Sequence, residues 1–196
     1  MLAKEKSYNL LMKIFIYFFL FVIFISNKSY SSTKENIINN LIKTKNLSFD
    51  FKQKIQNKKE KGNCTIRYPK QIYCLYEGDK KKELVSNGKS LVIKINNSNN
   101  SYIYSLKSTP LNYILDKKFL LNEIKYLQLN NKNKKIIELN FLKNNYEISL
   151  FFDKKTFDIA GWKTIDIYQN EVIFQIENIK KNQVLDKKKF KLPKLD

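Results

Sequence analysis

Leu47-Ser48-Phe49-Asp50-Phe51-Lys52 is the stretch on which the reading of this chain turns. Leu47, Phe49 and Phe51 are apolar, and Ser48, Asp50 and Lys52 between them are polar. A two-residue repeat sends successive side chains to opposite faces, so this is a strand with one buried and one solvated face. Immediately upstream the period changes. Ser32 with Glu35 three residues later is a capping-box signature, and Ile37, Ile38, Leu41 and Ile42 recur at helical spacing. A helix of about three turns is expected there, handing over directly to the strand.

The alternation returns in Tyr146, Ile148, Leu150 and Phe152, and in Val172, Phe174 and Ile176, as in antiparallel strands open to water on one side. Short apolar runs lie near 64–68, 71–76, 83–86, 90–95, 101–106, 124–129, 135–141 and 157–166, divided by turn-formers such as Asn87-Gly88 and residues 96–100. They bring the expectation to about eleven strands. Thr109-Pro110-Leu111-Asn112-Tyr113-Ile114-Leu115 interrupts them. Proline at a helix start, with Leu111, Ile114 and Leu115 on one stripe, predicts a second short helix. Residues 185–190 read as a brief turn before Pro193.

The fold class that follows is mainly β with a few helices (α+β). An unclosed, strongly curved antiparallel β-barrel is expected, its concave side covered by the two helices, whose apolar stripes have no other evident partner. From the strands, the inward-facing set is Phe49, Phe51, Ile66, Ile72, Tyr146, Ile148, Leu150, Val172 and Phe174. The helices add Leu111, Ile114 and Leu115, with Leu41 and Ile42 from the first. Each serves either as solid core or as the lining of a cavity, since a partial barrel needs both.

The N-terminus has the layout of an export leader. Met12 and Lys13 precede twelve apolar residues, Ile14 to Ile25, and Ser29 and Ser31 follow at the spacing signal peptidase reads. Residues 1–31 are therefore expected to be a cleaved signal peptide, with Met12 an alternative start, and residues 32–196 a single domain. The other reading is a membrane anchor, but the run falls short of the roughly 18–20 residues a spanning helix needs. Loss of Lys4, Lys6, Lys13, Lys28 and Glu5 with the leader leaves 33 basic and 17 acidic residues, a net charge of +16. Arg67 is the one arginine among 37 basic residues, whereas nucleic-acid recognition leans on arginine forks. The lysines read as a solvated surface, with weak attraction to anionic headgroups as the remaining option, and no nucleic-acid partner is expected.

Catalytic patterns are scarce. The chain has no histidine, no glycine-rich phosphate loop and no nucleophile-elbow serine. Asp153, Asp158 and Asp166 fall near strand ends, where turn and surface roles are the ordinary reading. Neither an enzyme nor a cofactor is expected. Cys64 and Cys74 stand five residues either side of Pro69 with equal parity, which suits a cross-strand disulfide in an oxidising compartment or, otherwise, two buried free thiols. Two sulfurs without further ligands do not make a metal site.

Several motifs resemble the LolA family. Leu41-Ile42-Lys43-Thr44 leads to Leu47 through Gln53. A hairpin follows from Gly62 through Arg67-Tyr68-Pro69 to Tyr76, and then Leu84-Val85-Ser86-Asn87-Gly88-Lys89. Tyr104-Ser105-Leu106, Ser108-Thr109-Pro110-Leu111, Gly161-Trp162, Asp166, Asn178 and Phe190 through Pro193 continue the likeness along the mature chain. The resemblance implies a periplasmic, monomeric carrier whose apolar cavity holds the acyl chains of lipoproteins. Such a carrier is loaded by the inner-membrane lipoprotein-releasing ABC transporter and unloaded on an outer-membrane acceptor. It also implies that the inward-facing set above lines that cavity. Alternatives on the same fold are an envelope-stress module that senses lipoproteins and a carrier of free lipids. One departure stands out. Family members often carry arginine just before the hairpin proline, tying sheet to lid, whereas this chain has Tyr68 there and Arg67 a step earlier. Arg67 is then expected to face outward and Tyr68 inward. The Tyr68 hydroxyl is the candidate latch, failing which the lid rests on apolar contacts alone.

Overall fold

The computed structural model describes residues 32–78, 81–95, 100–130, 134–166 and 169–193. The expected leader, residues 1–31, lies outside them. Helix α1 (Thr33–Lys43) runs into β1 (Asn46–Ile55) with only two residues between. Strands β2 (Lys58–Arg67), β3 (Gln71–Tyr76), β4 (Lys82–Asn87), β5 (Ser90–Ile95) and β6 (Ser101–Ser105) follow as a meander. A 3-10 turn (Leu106–Ser108), α2 (Leu111–Ile114) and α3 (Lys117–Tyr126) cross over to β7 (Leu129–Asn130). Strands β8 (Ile136–Lys143), β9 (Tyr146–Asp153), β10 (Ile159–Ile165) and β11 (Glu171–Lys181) complete the sheet, and a 3-10 turn (Lys187–Phe190) lies in the tail.

All eleven strands form one antiparallel sheet, ordered β6-β5-β4-β3-β2-β1-β11-β10-β9-β8-β7. It is not closed, because β6 and β7 end the order without pairing to each other. The pairing of β1 with β11 is the long-range join between the two meanders. One end of the sheet carries the β1–β2 turn at Gln56-Asn57. The opposite end carries α1, which enters β1 there, and the Tyr68-Pro69-Lys70 turn, where the Tyr68-Pro69 bond is cis. We call these the turn end and the lid end.

The segment 124–129 departs from the strand expected of it. Residues 124–126 complete α3, and a strand begins only at Leu129. Asp116 accepts a hydrogen bond from the Phe119 backbone N–H at 3.1 Å and so caps the helix, while Leu120 and Ile124, four residues apart, are both fully buried. Helical spacing and a cap outweigh the short apolar run.

Cys64 and Cys74 sit directly opposite each other on β2 and β3 and are joined in a disulfide. Closing so short a loop, ten residues in sequence, stabilises the fold by roughly 3 kcal/mol on chain-entropy grounds. A row of aromatics crosses the inner face nearby. Trp162 of β10 stacks on Phe174 of β11 with ring centroids 4.2 Å apart. Phe174 stacks on Phe51 of β1 at 4.7 Å, and Phe51 meets Tyr76 of β3 edge-on at 4.8 Å. Phe51 and Tyr76 are separated by β2, whose residue between them in the register is Gly62. A β-carbon there would fall 2.0 Å from the Leu75 carbonyl oxygen and 2.9 Å from the Phe51 ring. Gly62 is thus the gap through which two aromatics touch across an intervening strand.

The tail covers the outer face. Phe190 is buried, with the Arg67 guanidinium 4.7 Å above its ring, and Lys189 Nζ donates to Thr65 Oγ1 at 3.1 Å. Arg67 therefore faces outward, as its parity requires.

Candidate functional site

The inner face of the sheet is solid at the lid end and hollow toward the turn end. A cavity of about 740 Å3 opens between the two arms of the sheet and α2, within the roughly 300–1,000 Å3 of small-molecule sites. On β1, Leu47, Phe49 and Phe51 are buried in the core, whereas Gln53 and Ile55 line the cavity. On β9, Ile148, Leu150 and Phe152 are core and Tyr146 lines. On β11, Ile176 is core while Val172 and Phe174 line. The arm of β3 to β5 faces the cavity along its length through Ile72, Cys74, Tyr76, Leu84, Leu91 and Ile93, and α2 closes it with Leu111 and Ile114.

Of the fourteen residues expected to line a cavity, Ile72, Leu111, Ile114, Tyr146, Val172 and Phe174 do so. Leu41, Phe49, Phe51, Ile66, Leu115, Ile148 and Leu150 are buried in the packed core instead. The reason is that α1 and α3 lie against the lid end of the same face and fill it. Ile42 is a correction: it is 54% exposed. Ile37 and Leu41 already form the buried stripe of α1, and Ile42, one residue on, is turned about 100° away from it.

Sequence reasoning missed the polar part of the wall. Gln53 of β1, Tyr76 of β3 and Lys82 of β4 line the cavity at the turn end, and Glu60 of β2 ties them together. Lys82 Nζ lies 2.7 Å from Glu60 Oε2, and Gln53 Nε2 donates to the same oxygen at 3.1 Å. The Tyr76 hydroxyl donates to Gln53 Oε1 at 3.2 Å, and Lys82 Nζ stands 3.7 Å above the Tyr76 ring. Burial pushes the Glu60 carboxyl up, but the hydrogen bonds and charges of Lys82 and Lys58 outweigh it and hold it below the usual carboxylate range. Burial raises the Tyr76 phenol above its ordinary value, and the Glu60 charge adds to that. Thr164, Asp166, Asn145 and Glu147 line the same cavity from β9, β10 and the turn-end loops.

The lid is fastened by lysines. Lys70 Nζ reaches Asp116 Oδ2 and Asn112 Oδ1, each at 3.1 Å, and its backbone N–H donates to the Leu115 carbonyl at 2.9 Å. Lys117 Nζ donates to the carbonyls of Ile42 at 3.3 Å and Thr44 at 2.9 Å, satisfying the C-terminal end of α1. Lys34 Nζ donates to the Lys125 carbonyl at 3.2 Å, so α1 and α3 run antiparallel. Asp158 is buried rather than a surface turn residue. It accepts from Asn40 of α1 at 2.7 Å and from Lys181 of β11 at 2.8 Å.

The family model of the outer membrane lipoprotein carrier protein LolA matches residues 42–193. This chain belongs to the LolA family. No curated protein matches significantly. Among solved structures, the chain is similar to a conserved protein from Thermus thermophilus, at 8% identity and a TM-score of 0.52, covering 83% of this chain and 96% of that one. It also resembles the MucA/MucB complex of Pseudomonas aeruginosa (11% identity, TM-score 0.47, 83% of this chain and 60% of that one). A LolA superfamily protein from Nitrosomonas europaea matches at 9% identity and a TM-score of 0.43, over 82% and 98% of the two chains. At such identities the likeness is one of fold. The LolA family is a carrier family and not a catalytic one.

Within this LolA-like frame the Tyr68 hydroxyl does not act as a latch. It is shut off from solvent and has no hydrogen-bond partner, and burial raises its ionisation well above the phenol norm. The ring packs at the lid end beside Leu41, Thr44 and Leu47, with Lys117 Nζ 5.6 Å above it. Nor is the lid held by apolar contacts alone, because Lys70, on the far side of Pro69, bonds to it. Lys70→Met removes both side-chain contacts and keeps the backbone one. It is expected to destabilise α2 and α3 by about 1 kcal/mol and to speed amide exchange in residues 111–126, with exchange in β1 and β11 unaltered. Unchanged exchange in the helices would remove Lys70 from the fastening.

Proposed function

We propose that this chain is a periplasmic chaperone that shields the acyl chains of lipoproteins between the inner and outer membranes. The observation that carries the reading is the cavity of about 740 Å3, whose lid-end part is lined by Ile72, Leu91, Leu111 and Ile114, in a chain of the LolA family. Each methylene taken out of water contributes about 0.8 kcal/mol, so a lipid-modified protein needs such a shelter to cross an aqueous gap. A disulfide and the leader-like residues 1–31 agree with an oxidising compartment outside the cytoplasm. In this reading residues 32–196 act as one domain. The inner-membrane lipoprotein-releasing ABC transporter loads the carrier, and an outer-membrane acceptor unloads it. Release requires that the grip be modest, because cargo moves only down differences of affinity.

The test is recovery of the protein from periplasm, followed by mass spectrometry of whatever is bound. Triacylated protein is the expected result. Free lipid alone would make the chain a lipid carrier, and recovery of empty protein even with the lid held shut would end the proposal.

A further inference from the structure

The polarity of the cavity is ordered along the strands. At the lid end its walls are Ile72, Leu91, Pro110, Leu111 and Ile114, and at the turn end they include Gln53, Tyr76 and Lys82. The register places these polar residues together: Gln53 pairs with Glu60, and Tyr76 with Gly62 two residues further along β2. Lys82 begins β4, the strand next to β3. The side next to α2 is mostly apolar, with the hydroxyl residues Ser108 and Thr109, whereas the charged and amide groups gather away from α2 among Ile55, Ile165 and Val172.

The ion pair at the polar end does not explain itself as a stability device. The Lys82 and Glu60 side chains retain only 21% and 17% of their exposure. Desolvating two such ions offsets most of their attraction, and apolar replacements of similar volume are often neutral or stabilising. The charge balance narrows what the group suits. Lys82 and the more exposed Lys58 share Glu60, and Asp166 lines the same end, so two lysines face two carboxylates and no surplus positive charge awaits a phosphate or a fatty-acid carboxylate. The Lys82 ammonium and the Gln53 amide are hydrogen-bond donors, suited to carbonyl oxygens.

Building on the carrier reading, we propose that the Gln53–Glu60–Tyr76–Lys82 network is a subsite for the uncharged ester and amide carbonyls that join acyl chains to the cargo, while the chains run toward α2. The network sets both the direction in which cargo enters and the preference for a neutral linkage. Hydrocarbon burial alone supplies neither, being non-directional.

The experiment measures binding of a synthetic triacylated peptide, of its counterpart in which uncharged ethers replace the ester carbonyls, of palmitate and of hexadecanol. The unmodified protein is expected to prefer the ester-bearing peptide roughly tenfold over its counterpart, the value of one charge-assisted hydrogen bond. Palmitate is expected to gain nothing from its carboxylate relative to the matching alcohol. In the paired variant Glu60→Met with Lys82→Met the preference should fall toward one, with a melting temperature equal or higher. Gln53→Leu supplies a second reading of the same ratio if the paired variant folds poorly. An undiminished preference in the variants, equal binding of the two peptides by the unmodified protein, or a clear advantage for palmitate overturns the subsite while leaving the carrier reading intact. Failure of the unmodified protein to bind any acylated probe removes both.

Discussion

Val172→Trp combined with Ile93→Trp is expected to weaken binding of a triacylated peptide on the order of a hundredfold, the loss that follows from excluding about four methylenes at ~0.8 kcal/mol each. Both residues line the cavity, one on β11 and one on β5, and both are only partly buried, so they border open space rather than packed protein. An indole added at each fills volume that cargo needs. The fold should tolerate the change, because the cavity receives the new rings without displacing the core at Phe51, Ile66 and Leu150. Displacement of a fluorescent acyl probe reads the affinity, and thermal melting confirms that the fold persists. Affinity within twofold of the unmodified protein, with the melting temperature held, would mean that acyl chains bind elsewhere.

Gly62→Ala should cost more than about 3 kcal/mol and leave little folded protein at physiological temperature. The added methyl meets the Leu75 carbonyl oxygen at 2.0 Å, the Phe51 ring at 2.9 Å and the Tyr76 Cα at 2.9 Å. Two of those three contacts are backbone atoms of the paired strand, which move only if the β2–β3 ladder moves. The disulfide between Cys64 and Cys74 lies two residues away along that ladder and restrains it. The clash therefore propagates into the aromatic row that runs from Tyr76 through Phe51 and Phe174 to Trp162. Chemical denaturation compares the variant with the parent. A loss below 1 kcal/mol would show that the strands yield, and that the contact between Phe51 and Tyr76 over Gly62 is dispensable.

Alternation was the most legible feature of the sequence, because a residue's side of a strand is fixed by parity and needs no tertiary information. Phe49 and Phe51, Ile148 and Leu150, and Val172 and Phe174 all face inward as their spacing required, and β4 turns into β5 at Asn87-Gly88 as that dipeptide implies. Cys64 and Cys74 share a face for the same reason. Helix α3 was harder to read, because Ile124, Tyr126 and Leu127 also make a plausible short strand. The signal that separates the cases, Asp116 as a cap and Leu120, Ile124 and Leu127 at helical spacing, was present in the chain. Ile42 was misplaced because it sits at the margin of the stripe made by Ile37, Ile38 and Leu41, where one residue's rotation decides between core and water.

The sequence by itself determined the one-sided strands, the open antiparallel sheet of about eleven strands, the first helix and the shared face of the two cysteines, all of which depend on local period and parity; that the cysteines are bonded is the structure's contribution. Only the tertiary structure decided where the inner face is solid and where it is hollow. That division depends on how far α1 and α3 reach along the strands, and nothing in the alternation of Phe49, Phe51 and Gln53 encodes that distance. Likewise Lys70 and Lys82 are two lysines among many in composition. Their partners come from other elements, Asp116 from α3's cap and Glu60 from β2, and long-range pairing of polar side chains leaves no periodic trace in a single chain.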